Sequence, residues 1–240
     1  MSIPEFHAWL QTPQGQYILD WEQARFDQMV ADIFGFNAVQ IGLPQCPCLR
    51  ANRMPLRVVL DSFGDVGVRS DCHHLPFSGN SVDLVVLPHV LEFAANPQQV
   101  LREVERILVP EGQILISGFN PFSLWGAQRR VAGRAAGMPW RGQYFSVRRM
   151  KDWLSVLSFE TQAGCFGRYA PAATQEKWLR RWGFMELAGD RWWPIFGAVY
   201  LLQGIKRQHG LRLLTPAWHD RKARAKALAP AVQRTRKDGL

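Results

Sequence analysis

The segment that most constrains this chain is residues 82–87, VDLVVL, rich in β-branched residues and bounded by Gly79-Asn80 and Pro88. It reads as a buried strand. Three earlier runs read the same way: residues 37–42 (NAVQIG), residues 56–60 (LRVVL) and residues 66–69. A fifth strand follows Gly112, at residues 113–117. Residues 97–108 between the last two read as a helix, with Pro97 in its first turn and Val100, Leu101, Val104, Ile107 and Leu108 on one face. Strand, helix, strand in this rhythm implies an α/β domain around a mainly parallel sheet with right-handed crossovers. In open parallel sheets, ligands bind beyond the carboxyl ends of the strands. Asp61, Asp71, Pro88, His89 and Asn120 all fall at such ends.

The remaining segments fill out that plan. Residues 16–34 carry apolar side chains at three- and four-residue spacing and predict an amphipathic helix, capped near Thr12 and ended by Gly35. Residues 43–55 hold three prolines and two cysteines and read as irregular. Residues 125–134 predict a helix, and the Gly-rich, basic residues 133–144 a loop over the edge of the site. Ser146 predicts an N-cap for a helix bearing Val147, Met150, Trp153, Leu154 and Leu157. Residues 160–169 and 198–206 read as the last two strands, with a helix near 174–187 between them. The expected organisation is therefore an N-terminal helical extension (1–36), the sheet domain (37–207) and a basic, flexible tail (208–240).

Charge sharpens this division. From Lys206 to the end, ten Lys or Arg stand against two Asp, a net +8. The other 19 basic and 18 acidic residues nearly cancel. Nucleic-acid binding therefore does not follow for the body of the protein. The tail alone suits a weak anionic partner, nucleic acid or lipid, through phosphate neutralisation. It lacks the interleaved aromatics of sequence readout. The first 21 residues have no basic region followed by an apolar run, so no signal peptide is expected. The longest uncharged apolar stretch falls short of a spanning helix, and none is expected. Four cysteines without a secretion signal predict free thiols and a cytoplasmic location.

Three stretches carry a resemblance: Asp71-Cys-His-His-Leu-Pro-Phe77, Ser81-Val-Asp-Leu-Val-Val-Leu-Pro-His-Val-Leu91 and Leu101-Arg-Glu-Val-Glu-Arg-Ile-Leu-Val-Pro-Glu-Gly112. Together they resemble the central block of class I S-adenosylmethionine-dependent methyltransferases, especially the ubiquinone-biosynthesis group. The resemblance implies a Rossmann-like, seven-stranded or reduced methyltransferase sheet with helices on both faces. It also implies S-adenosylmethionine as cofactor and a small or amphipathic molecule as methyl acceptor. On that resemblance, Asp71 and the Cys72 backbone hold the adenine, with Leu75, Pro76 and Phe77 as apolar walls. Asp61 accepts from the ribose hydroxyls, and Pro88 and His89 lie near the methionine part. Gln40 and Gly42 stand where the family has its acid and first turn glycine. Residues 9–42 with Gly118-Phe-Asn-Pro-Phe122 are similar to a small bacterial subgroup of methyltransferase-like proteins.

Two features depart from the family pattern. The turn after the first strand, Gln40-Ile-Gly-Leu-Pro-Gln-Cys46, keeps one glycine, with Gln for the acid and Pro44 for the second glycine. Proline fixes φ and removes a donor where glycine allows close approach. Asp61 and Asp71 lie only ten positions apart, where the family places a helix. These departures motivate a second reading, a non-catalytic binding or regulatory protein of the same fold that uses its basic tail.

Methyl transfer depends chiefly on alignment, and a base is needed only for an acceptor that must lose a proton. His89 is the weak candidate for a base, with Glu92 behind it; the plainer account of His89 is a bond to a loop. No metal site is expected. Cys72, His73 and His74 are adjacent and would point apart in an extended segment, and Cys46-Pro-Cys48 lacks a partner pair. Trp178, Trp182, Trp192 and Trp193 stand among Arg180, Arg181 and Arg191. They read as core packing of the last helix, with an apolar docking surface as the alternative.

Overall fold

A computed structural model describes residues 4–207 apart from 65, 134–136, 173–176 and 178–180. The chain opens with two helices, α1 (Pro4–Leu10) and α2 (Pro13–Ala31). Thr12 caps α2: its Oγ accepts from the Gly15 amide at 3.3 Å, and Pro13 takes the first helical position. The helix starts and stops earlier than its periodicity suggests. Gly35 is not its terminator. A Cβ there would lie 2.5 Å from Asp83 Cβ, and this close approach lets the Phe36 and Asn37 amides each donate to Asp83 Oδ2 at 2.9 Å.

Among the described residues the strands are β1 (Asn37–Ile41), β2 (Leu56–Asp61), β3 (Val68–Arg69), β4 (Val82–Pro88), β5 (Leu108–Phe119), β6 (Phe159–Gly167) and β7 (Val199–Lys206). They form one seven-stranded sheet in the order β3-β2-β1-β4-β5-β7-β6. The first five pair in parallel, whereas β7 runs antiparallel to both β5 and β6. Between them lie α3 (Pro97–Ile107), α4 (Leu124–Ala132), α5 (Val147–Val156) and α6 (Phe184–Trp192). Ser146 caps α5 as expected, its Oγ accepting from the Arg149 amide at 3.3 Å.

The sheet is covered on both faces. Val39, Ile41, Val85 and Leu87 pack with Val100, Leu101 and Val104 of α3 and Met150 and Leu154 of α5. Ala38, Leu84, Val86 and Leu115, alternating with them, pack with Leu10, Ile18, Phe26 and Trp125 from α1, α2 and α4. Period-two alternation assigns each strand residue to one layer or the other. The N-terminal helices are thus half of the core and form one compact unit with the sheet.

No helix separates β2 from β3 among the described residues. Parallel neighbours ordinarily need a long crossover. Here β3 is two residues long and pairs only with Leu60 and Asp61, so the chain doubles back by very little. Gly64, at φ +90°, lies in that bend.

The tryptophan expectation is corrected. Trp192 and Trp193, at the end of α6, are exposed, and Trp182 is half-buried. The described helix is Phe184–Trp192, and the side chains at its C-terminal end are exposed. Trp178, Arg180 and the tail 208–240 lie outside the described residues. No helix among the described residues is long and apolar enough to cross a membrane.

Candidate active site

The strand order reverses direction between β1 and β4, and the carboxyl ends of these two strands flank the switch point. Gln40, on β1, is fully buried and holds the following turn together. Its Nε2 donates to the carbonyls of Gly42 (3.1 Å), Leu43 (2.9 Å) and Cys46 (2.8 Å), and its Oε1 accepts from the Cys48 amide at 3.1 Å. Three carbonyls converge on this position, so an amide donor suits it and a carboxylate would be repelled. Gly42 keeps the left-handed conformation, at φ +77°. A Cβ on it would lie 2.9 Å from Val90 Cγ2, so the close approach this glycine permits is to a side chain of the protein itself. Leu43, Cys46, Cys48 and Leu49 turn inward and join the core beneath α1 and α2.

At the end of β4, Pro88 is buried in the ladder opposite Ser117, and His89 follows it at φ +52°. The His89 ring lies between two carboxylates. Nδ1 is 2.7 Å from Glu92 Oε2, and Nε2 is 2.8 Å from Glu22 Oε1, the latter an ion-pair contact off the ring N–H line. All three side chains are at most 2% exposed. Burial pushes the His89 pKa down, but Glu22 and Glu92 overcome it and raise it to about 10. Burial also raises the Glu92 carboxyl, against the pull of His89. The Glu92 Oε1 atom accepts from the Phe119 amide. Aromatic rings close the remaining sides: Phe119 lies 4.4 Å from the His89 ring, Phe6 of α1 5.4 Å, and Tyr144 stacks on Phe119 at 5.0 Å. The loop bearing Tyr144 is fastened by the Gln143 amide, which donates to Glu92 O at 2.8 Å.

This geometry corrects the expectation of His89 as a base. An imidazole held protonated by two carboxylates in a dry site has no lone pair to offer at neutral pH. Glu92 is spent on the same cluster. The sequence reading missed Glu22. Its signal was present: residues 18, 22, 26 and 30 form the fully buried stripe of α2, and Glu22 is the one acid in it. An acid in the centre of an apolar stripe needs a buried partner.

The ends of β2 and β3 differ. Asp61 is 2% exposed and takes the Ser62 amide on Oδ1 at 2.6 Å. His7 of α1 lies close enough for the Asp61 charge to raise its pKa, although burial outweighs this and lowers it. Asp71 follows β3 by two residues, and its side chain is 61% exposed. Residues 71–74 turn instead of extending, so ligand-type atoms of Asp71, Cys72 and His73 gather within 4.8 Å of one another. That corrects the expectation that adjacent side chains there point apart. The His73 ring is already engaged: Nδ1 is 2.8 Å from Asp71 Oδ1, and Nε2 accepts from the Asn96 amide at 3.3 Å. The bond to His73 lowers the Asp71 pKa, so Asp71 is a carboxylate at neutral pH. Leu75 and the Cys72 side chain are buried in the α3-side core, and Phe77 packs against it half-buried. The structure thus brings Gln40, Gly42, Pro88 and His89 together at the switch point. It sets Asp61, Asp71, Cys72 and Leu75 along the neighbouring strand ends.

Residues 45–116 match the family model of a methyltransferase domain. The uncharacterized protein YafS of Escherichia coli is 32% identical over 156 residues, 64% of this chain and 65% of that protein. This chain therefore spans just under two thirds of that relative's length. Among solved structures, a chain from the complex of the Haloferax volcanii Trm112 methyltransferase activator is 19% identical, with a TM-score of 0.61 over 87% of this chain and 98% of its own. An S-adenosylmethionine-dependent methyltransferase of Thermotoga maritima is 14% identical, with a TM-score of 0.58 over 79% of this chain and 92% of its own. One from Archaeoglobus fulgidus is 17% identical, with a TM-score of 0.53 over 78% and 94%.

Proposed function

We propose that this chain, which carries a methyltransferase domain on the class I methyltransferase fold, binds S-adenosylmethionine and transfers its methyl group to a small or amphipathic acceptor. The observation that carries the reading is the pair of carboxylates, Asp61 and Asp71, at the adjacent ends of β2 and β3. Neighbouring strands lie about 4.8 Å apart, so the two acids follow adjacent strand ends, Asp61 buried and Asp71 exposed. The residues present there fit the nucleoside half of the cofactor. Asp61 would accept from the ribose hydroxyls, and Asp71 with the Cys72 backbone would engage the adenine. The half beyond β1 is rebuilt around Gln40, and Gly42 and Pro88 border it.

Bound at this edge, S-adenosylmethionine supplies a methyl group activated by a sulfonium. The protein's own contribution is alignment and exclusion of water, because no buried base is free at the switch point. Phe6, Trp9 and Phe119 provide the dry wall, and the Glu22–His89–Glu92 cluster fixes the β4 end that carries it. An acceptor that is already nucleophilic at neutral pH suits such a site better than one requiring deprotonation inside it.

Calorimetric titration with S-adenosylmethionine and S-adenosylhomocysteine tests this reading. Saturable binding that weakens in Asp71→Ala supports it. No binding at millimolar cofactor would leave the non-catalytic reading in its place.

A further inference from the structure

A second feature of this edge owes nothing to the nucleotide site. Six large apolar side chains are exposed on two segments of the chain: Phe122 on one, and Phe184, Trp192, Trp193, Ile195 and Phe196 on the other. Their exposures run from 47% for Phe196 to 70% for Trp192. They belong to two segments that the backbone ties to each other. Asn120 Nδ2 donates to Ile195 O at 2.8 Å and to Gly197 O at 3.0 Å, while Asn120 Oδ1 accepts from the Phe122 amide at 3.1 Å. The Tyr169 hydroxyl donates to Pro194 O at 3.0 Å, and a Cβ on Gly189 would lie 2.2 Å from the Tyr169 ring. The exposed rings therefore stand on a fixed support. Large apolar groups exposed on linked, supported segments are a mark of an interaction surface.

The surrounding charge indicates what kind of partner. Arg181 and Arg191 are exposed on the same stretch. Glu186 is turned inward, where it accepts from the Tyr17 hydroxyl and from the Tyr169 amide at 3.1 Å. Asp190 is thus the one acid facing out between residues 181 and 196 among those described. The chain leaves β7 at the end opposite this face, and beyond Arg207 its sequence adds eight Lys or Arg and two Asp. Tryptophan and phenylalanine beside arginine is the composition of a surface that sits at a bilayer interface. Apolar rings enter the acyl boundary while cations meet anionic headgroups. A basic segment near the surface reinforces such contact.

Position gives the surface a use. Phe119 pairs with Val199, so the Pro194–Phe196 turn and Phe122 lie at the carboxyl end of β5, the same end of the sheet as Gly42, Asp61 and His89. We propose that this face docks the protein on an anionic lipid surface, with the carboxyl edge of the sheet turned toward the bilayer. The inference stands without the methyl-transfer reading, because it concerns adsorption alone.

Flotation of the full chain with phosphatidylcholine vesicles, with and without phosphatidylglycerol, tests it. The parent is expected to float with the anionic vesicles and far less with the neutral ones. The triple variant Trp192→Ser, Trp193→Ser, Ile195→Ser should lose about tenfold or more in partitioning at an unchanged melting temperature. A chain ending at Arg207 should retain the part of the binding that added salt does not abolish. As a second measurement that preserves apolar area, brominated lipid should quench the parent's fluorescence more than that of Trp192→Phe, Trp193→Phe. A parent that does not float, or a triple variant that floats as well as the parent, overturns the proposal. So does a parent dimer that the triple variant converts to monomer, because the face would then belong to a second copy of the chain.

Discussion

The two halves of the carboxyl edge handle polar groups in opposite ways. At the β1–β4 switch point, Gln40 is turned inward onto the backbone of its own turn, and Glu22, His89 and Glu92 are turned onto one another, beside Phe6, Trp9 and Phe119. At the β2–β3 edge, Asp71 faces water, and its closest partner is a neighbour two residues along. Similar residue types at similar strand ends therefore do different work. The first set holds the N-terminal helices on the sheet. The second leaves the Asp71 carboxylate exposed. Fold position alone does not mark a residue as a ligand contact; the partners already bound to it decide.

The largest expected effect breaks the inner half. His89→Leu would leave two buried carboxylates facing each other without their cation, and about 3–5 kcal/mol of stability should be lost. Urea unfolding measures it. If the variant is as stable as the parent, the cluster is not what holds this end together. Next comes Gln40→Glu, which sets a carboxylate against three carbonyls. A loss of about 2–3 kcal/mol is expected, where an exposed Gln→Glu change would cost almost nothing.

A pH series sharpens the same contrast. His89 has a folded pKa raised from 6.5 to about 10. Its contribution is therefore fully present below pH 6.5 and is lost as pH rises through about 10. Glu92, also raised, tilts stability in the same direction. The melting temperature should fall across that window, and Glu22→Gln should flatten the slope. A melting temperature that rises from pH 7 to 10 would contradict a buried imidazolium. The smallest effect on stability belongs to the outer half: Asp71→Ala should change it by less than about 0.5 kcal/mol, as for an exposed site. The same variant should weaken S-adenosylmethionine binding about tenfold, as loss of a charge-assisted hydrogen bond does. Destabilisation without weaker binding would reverse the assignment of the two halves.

Much of the sheet was legible along the chain. Residues 82–87 and 56–60 announced their strands by composition, and Thr12 and Ser146 announced their helix starts by the caps that orphan amides require. The loss of the helix between β2 and β3 also showed, since ten positions leave little room for one. The site was legible only in outline. The strands end close to where the pattern places them, but for His89, a weak candidate for a base, the sequence does not show what lies across from it. Its partner Glu22 is 67 positions away on a helix that periodicity treats as ordinary packing. The tryptophans at 192 and 193 failed for a related reason. The expectation packs them with the last helix, and only the folded chain shows that they are exposed where α6 ends.

By itself the sequence determined the parallel sheet, the positions of its strand ends and the concentration of positive charge after Lys206. These are properties of local pattern, since β-branched runs, caps and charge counts depend on residues close together in the chain. The tertiary structure decided which acids face solvent, which histidine carries a locked proton and which aromatic rings lie outside the core. Those properties depend on desolvation and on contacts between residues distant in sequence, and both are set only when α1 and α2 close over the sheet.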